Sequence, residues 1–284
     1  MRSSRHEDAD LRSLQTPRSE VVRAAAPRVH RVAAGPPQPG HPTIDLALAQ
    51  RVQRAQFPRQ ARIDGLTTAI YVAPAYALTG DAVTVLPLAD GRVLCSVADA
   101  TGSGVHAALV GSTLLAMLHV LADRPTPLAA MLERVNAHFA AYLPDDVFVT
   151  AAAAAIAPAT GELELLVAGH PPPIICDARG ACRALDRPQN PPLGLASSHL
   201  HTGHTRLATG DLLALYSDGV VEVRDPQGRM LGTHALARTL SSLVRLHGAS
   251  RVGAIARALR RTIEDFAGPD APRDDRSFLL VGRP

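Results

Sequence analysis

The sequence predicts an α+β layered fold, and three observations carry that prediction. Strand-like apolar runs come in blocks, helical stretches come in pairs, and several runs stop on an aspartate next to a small, flexible residue. The first strands lie near 69–72, 82–86 and 92–97, the last two joined by a turn at Asp90-Gly91. Helices follow over about 104–121 and 127–142. A second block of strands covers 147–157, 163–167, 173–176, 182–185, 205–207 and 212–216, with a turn at Thr160-Gly161. Two more helices, about 233–246 and 250–267, precede a last strand at 277–281. This grouping excludes a regular βαβ alternation.

Three segments are expected. Residues 1–42 are rich in Arg, Ala, Ser and Pro and hold no sustained period, which predicts a disordered basic tail. In 43–58, Ile44, Leu48, Val52 and Ala55 recur at helical spacing until Pro58 closes the segment, giving a linker helix. The remainder, 59–284, is read as one domain. With 284 residues and 46% hydrophobic content the chain can bury a large core, and with only 3% aromatic residues and no Trp that core is built of Ala, Val and Leu.

The charge is unevenly spread. Residues 1–62 carry 11 arginines against 5 acids, whereas 63–284 carry 18 against 21, so the basic excess lies in the leader. The leader has no consecutive basic run and no interleaved aromatics, which argues against nucleic-acid binding. It also lacks the apolar segment of a secretory signal. The longest apolar stretch, Val105 to Ala122, is interrupted by His106, Ser112, Thr113 and His119 and reads as a buried helix, not a membrane span. Three cysteines, Cys95, Cys176 and Cys182, are read as small buried hydrophobes in a reducing, cytoplasmic setting, although Cys176 and Cys182 flank a turn that could face them together.

Four aspartates carry the chemistry: Asp81 in Thr79-Gly80-Asp81, Asp99 in Val97-Ala98-Asp99-Ala100-Thr101-Gly102, Asp218 in Tyr216-Ser217-Asp218-Gly219, and Asp274 in Arg273-Asp274-Asp275-Arg276. Carboxylates at strand ends are aimed by a rigid sheet, and adjacent glycines allow close approach. Oxygen donors without clustered His or Cys select Mg²⁺, Mn²⁺ or Ca²⁺. Two such ions sharing a water lower its pKa and present it in line to a phosphoryl group. Without cations, carboxylates meeting at one spot would repel each other. His170, in Gly169-His170-Pro171-Pro172, is read as fixing a loop, and His199, His201 and His204 as a solvated loop.

In order along the chain, these motifs, with Val105-His106-Ala107-Ala108, Phe148-Val149-Thr150, Pro192-Leu193-Gly194-Leu195 and Gly210-Asp211, resemble the metal-dependent (PPM-type) serine/threonine phosphatases of the bacterial SpoIIE-like branch, from about Ala49 to Val281. The resemblance implies a four-layer sandwich of two antiparallel sheets flanked by helix pairs. It implies that two Mn²⁺ or Mg²⁺ ions are held by Asp81, Asp99, the Ala100 carbonyl, Asp218 and Asp274, with Asp275 in support. Turnover would then depend on Asp99 and Asp218. The implied substrate is a phosphoprotein, such as an anti-sigma-factor antagonist, and the 44–57 helix resembles a linker that in this branch can join dimers.

The chain departs from that pattern where the branch usually reads Gly-Gly-Asp-Phe-Tyr-Asp. Here Thr79-Gly80-Asp81-Ala82-Val83-Thr84 lacks the aromatics and the second acid. His106 stands where a proline is common. These departures admit a second reading, a phosphatase-like binding module with weak metal affinity.

Overall fold

The computed structural model describes residues 42–284 apart from 58–61, 64, 186–188, 196–198 and 270–272. The tail expected over 1–42 lies outside the described residues except for Pro42, as do Pro58 and the side chain of Ile44.

The elements run α1 (Pro42–Gln56), β1 (Arg62–Ile63), β2 (Leu66–Ala73), β3 (Asp81–Pro87), β4 (Val93–Ala100), α2 (Val105–Ala122), α3 (Leu128–Tyr142), β5 (Val149–Ile156), β6 (Glu162–Ala168), β7 (Ile174–Cys176), β8 (Cys182–Ala184), β9 (Gln189–Asn190), β10 (Gly203–Arg206), β11 (Leu212–Tyr216), α4 (Asp218–Val221), α5 (Gly232–His247), α6 (Val252–Ala267) and β12 (Arg276–Gly282). One sheet is ordered β1-β2-β12-β11-β7-β8 and the other β10-β6-β5-β4-β3. Pairing is antiparallel except between β6 and the two-residue β9, which run parallel.

Strand alternation divides the side chains among three cores. Val83, Val85, Cys95, Val97, Leu213, Leu215, Leu279 and Val281 fill the space between the sheets. Ala82, Leu94 and Ala98 face outward onto α2 and α3 through Leu114, Leu118, Leu132 and Phe139. On the other flank Ala214, Tyr216, Phe278 and Leu280 meet Leu236, Leu240, Ile255, Leu259 and Ile263 of α5 and α6. Four layers result, helices outside and sheets within, as expected. The run of alanines in β5, Ala151 to Ala155, is buried on both faces, which lets sheet and helices approach closely without aromatic bulk.

α2 is long and apolar enough to cross a membrane by composition, but half of it is buried, with Ala107, Val110, Leu114 and Leu118 in the α2–α3 core. It is a core helix.

α1 departs from the amphipathic expectation. Its apolar positions Leu48 and Val52 are exposed, and its polar face turns inward: Gln50 donates to the Ala77 carbonyl at 2.9 Å, Gln53 exchanges hydrogen bonds with the Thr79 backbone at 2.7 and 3.1 Å, and Gln56 accepts from Ser112 at 2.8 Å. Amide side chains that satisfy loop backbone groups decide which face packs, not the apolar stripe.

The cysteine reading is half corrected. Cys95 is a buried free thiol, pushed up to about 12 by burial. Cys176 and Cys182, opposite each other in the β7–β8 register, are joined by a disulfide. The tight turn between them brings the two sulfurs together, so they are cross-linked and not separate small hydrophobes.

Candidate metal centre

Asp81 opens β3 and Asp99 sits near the end of β4, directly opposite each other in the antiparallel register. Both continue the face that lines the space between the sheets, at its open end. From the other sheet, Ser217 follows β11 and Asp275 and Ser277 flank the start of β12. Asp218 begins α4, and Asp274 lies just before β12. Aspartates far apart in sequence are thus gathered at one end of the sandwich.

The bonds around them are specific. Ser217 donates its hydroxyl to Asp81 Oδ2 at 3.1 Å and accepts the Ser277 backbone N–H at 2.9 Å. Asp275 is committed to the backbone: Oδ1 accepts Ala75 N–H at 2.7 Å and Oδ2 accepts Gly80 N–H at 2.8 Å, so it fixes the loop that leads into Asp81. Asp274 Oδ1 accepts the Asp275 N–H at 2.8 Å and Asp218 Oδ1 accepts the Gly219 N–H at 2.8 Å, leaving the remaining oxygens of each free to face outward. A Cβ on Gly80 would sit 3.0 Å from the Ala100 carbonyl oxygen, so the loop into β3 approaches β4 closely here.

The electrostatics show a shared field. Burial, reinforced by the Asp275 and Asp218 charges, outweighs the hydroxyls of Ser277 and Ser217 and pushes Asp81 up to about 8. Asp99 is pushed up to about 9 by burial and then by the charges of Asp81, Asp218, Asp274 and Asp275. Asp218 is raised by burial and by Glu222, and Asp274 by burial and by Asp218 and Asp275. All four rise, burial leading in each and neighbouring carboxylates adding to it. Asp81 Oδ1 is buried with no hydrogen-bond partner among the described residues. Among those residues no three acidic, His or Cys side chains already close into a coordination shell. An unsatisfied buried carboxylate oxygen, mutual repulsion and an all-oxygen donor set nevertheless fit a hard divalent cation.

The departure at Thr84 can be placed. Alternation puts Thr84 on the face of β3 shared by Ala82 and Leu86, toward α2, and not on the Asp81 face. The missing second acid therefore subtracts nothing from the inward-facing set.

His170 is buried, its Nδ1 2.8 Å from the Thr150 hydroxyl, in keeping with a loop-fixing role. His199 is exposed and lies 3.4 Å from Glu133; it, His201 and His204 form no metal-type cluster among the described residues. Sequence reading passed over Ser217, Ser277 and Gln53. The Ser217-Asp218 and Arg276-Ser277 juxtapositions were visible, but only the fold shows that the Ser217 hydroxyl bonds Asp81 and accepts the Ser277 backbone N–H.

This architecture is that of PP2C-type phosphatases. The RsbU and RsbW domains of Rv1364c from Mycobacterium tuberculosis superpose with a TM-score of 0.67 at 26% identity, over 80% of this chain and 61% of theirs. The SiaA-PP2C domain of Pseudomonas aeruginosa matches with a TM-score of 0.70 at 20% identity, over 84% of this chain and 95% of that one. RsbX, solved in complex with magnesium, matches at 0.59 and 17% identity, over 78% of this chain and 98% of its own. The chain thus spans about three fifths of the mycobacterial protein it resembles. A family model, Stage II sporulation protein E (SpoIIE), matches residues 89–284. The chain belongs to the SpoIIE family of PPM-type serine/threonine phosphatases.

Proposed function

We propose that this chain is a metal-dependent protein phosphatase that hydrolyses phosphoserine and phosphothreonine, with an anti-sigma-factor antagonist as its substrate. The observation that carries the proposal is the shared upward shift of Asp81, Asp99, Asp218 and Asp274 at one end of the sandwich, with Asp81 Oδ1 left without a partner. Asp81, Asp99, the Ala100 carbonyl, Asp218 and Asp274 would hold two Mn²⁺ or Mg²⁺ ions. When bound, such ions supply an activated water and stabilise charge on the phosphoryl oxygens.

The protein residues do the positioning. Asp99 lies opposite Asp81 and feels every other acid of the set, so it is the residue best placed to be shared between two ions. Ser217 orients Asp81, while Asp275 anchors the 75–80 loop from which Asp81 projects. No side chain is assigned as general acid. The magnesium complex of RsbX supports the choice of ion class.

The binding-module alternative rested on the Thr79–Thr84 departure, and the outward orientation of Thr84 favours the enzyme. The exposed Leu48 and Val52 of α1 support a homodimer formed through that helix. The test is p-nitrophenyl phosphate hydrolysis with added Mn²⁺. Wild type should turn over, and Asp99→Asn and Asp218→Asn should each lose activity by at least about a hundredfold while keeping a native circular dichroism spectrum. Undiminished turnover in both variants would remove the site.

A further inference from the structure

A cavity of about 320 Å³ opens next to the metal centre on the α6 flank and shares Gly219 and Asp274 with it. Its other walls are the turn after α4, the end of α6 at Ala267 and the start of β12. Arg224, Arg273 and Arg276 line it. Arg276 is only 8% exposed, and alternation along β12 sends it the same way as Phe278 and Leu280, away from Asp275 and Ser277.

That arginine has no acidic partner among the described residues. Among the described residues no carboxylate pairs with Arg224, Arg273 or Arg276, and Arg224 donates only to the Gly228 carbonyl at 2.9 Å. Three acids, Glu222, Asp225 and Asp274, line the same cavity: Asp225 is held by Arg229 at 2.7 Å and Asp274 belongs to the metal centre, while Glu264 is held by Arg260 at 2.8 Å. Glu222 is exposed to solvent. The Arg276 charge is felt at the Tyr71 phenol, which supplies no counter-charge at neutral pH. An arginine this little exposed, lining a cavity and paired with no carboxylate among the described residues, suits an incoming anion.

We infer that this cavity receives an anionic side chain flanking the phosphorylated residue of the substrate, a carboxylate or a second phosphate, with Arg276 as its receptor and Arg224 and Arg273 at the rim. The inference rests on the phosphatase reading above and adds to it a preference for substrates acidic beside the scissile phosphate. The shared Asp274–Gly219 wall gives the spacing: a phosphoryl group at the aspartates leaves the adjoining residue at the cavity mouth. A guanidinium presents paired N–H groups that suit either oxyanion.

The experiment uses synthetic phosphoserine peptides alike except for their neighbours: one with Asp and Glu flanks, one with Ala flanks, and one with a second phosphoserine. Both kcat/KM with Mn²⁺ and, separately, metal-free binding by fluorescence anisotropy are measured. The wild-type chain should favour the acidic over the Ala-flanked peptide by about tenfold, and Arg276→Gln should bring the ratio to within about twofold. The peptide with two phosphoserines tells a phosphate preference from a carboxylate one. Should Arg276→Gln fail to fold, the paired rim substitutions Arg224→Gln and Arg273→Gln carry the same comparison. A wild-type ratio near one, or a ratio unchanged in the folded variants, overturns the inference. Failure of the wild type to cleave p-nitrophenyl phosphate would sink the phosphatase reading alone, because the binding ratio still decides the cavity.

Discussion

Asp81 and Asp99 face each other across the β3–β4 register, and the first leaves Oδ1 buried and unbonded among the described residues while the second feels the charge of four other aspartates. Rigid neighbouring strands hold the two carboxylates together, so their repulsion cannot relax by chain movement. The fold therefore carries a built-in electrostatic cost that a cation offsets.

Mn²⁺ should accordingly raise the melting temperature. A ligand that binds only the native state at a hundred times its Kd adds about 2.7 kcal/mol of stability. Asp99→Asn should do two opposite things: raise the melting temperature in EDTA by removing a carboxyl whose ionised form burial and its neighbours disfavour, and shrink the Mn²⁺-induced rise. Thermal melts followed by circular dichroism, with EDTA or Mn²⁺, measure both; an equal Mn²⁺ response in wild type and variant would count against the cluster as a cation site.

The neighbours Asp274 and Asp275 should behave as opposites. Both Asp275 oxygens accept backbone N–H groups, and an asparagine there would turn an NH₂ toward one of those donors. Asp275→Asn should cost about 1–3 kcal/mol of stability even without metal. Asp274 is exposed and bonds one local N–H, so Asp274→Asn should leave the metal-free denaturation midpoint nearly unchanged and weaken the Mn²⁺ response. Urea denaturation with and without Mn²⁺ separates the two, and the reverse pattern would make Asp275 the ligand.

Much of this arrangement could be read from the residues, for reasons that are local. The period-two runs of β3, β4, β5 and β12 and the helical stretches of α2, α3, α5 and α6 name their own elements, and an aspartate at the end of a strand declares its position. What escaped depends on contacts between distant segments. Asp218, at the end of the β11 run, proves to open α4. The helical spacing of Ile44, Leu48, Val52 and Ala55 shows a helix but not which face packs; hydrogen bonds from Gln50 and Gln53, and from Ser112 to Gln56, decide that it is the polar face. Arg276 looks like any strand residue until the turn after α4 closes a cavity over it.

Gly219 should tolerate no side chain. A Cβ there would run into the Asp275 carbonyl oxygen and pack 3.5 Å from the Asp274 Cβ. That backbone contact sets the distance between α4 and the segment carrying Asp274 and Asp275 into β12, so Gly219→Ala should push Asp218 away from Asp274. A loss of about 1–3 kcal/mol from overpacking is expected, with a reduced Mn²⁺-induced shift in melting temperature. A variant as stable as wild type, with the same Mn²⁺ response, would show that α4 can slide freely.

His170 should leave a signature in the pH dependence of stability. Burial pushes its imidazole down to about 3, opposed only weakly by the Tyr216 backbone, and the ring stays neutral beside the Thr150 hydroxyl. In the unfolded chain the same ring titrates near its ordinary value of about 6.5. Between these values the unfolded state binds the extra proton, so stability rises with pH across that window. The contribution is complete above about 6.5 and is lost as pH falls toward 3, by up to about 1.4 kcal/mol per pH unit. His170→Gln removes the titrating group, and its stability should fall less steeply than that of wild type between pH 6.5 and 4.5. Urea midpoints collected across that range measure the two slopes; parallel slopes would mean that the folded protein protonates His170 as easily as the unfolded chain does.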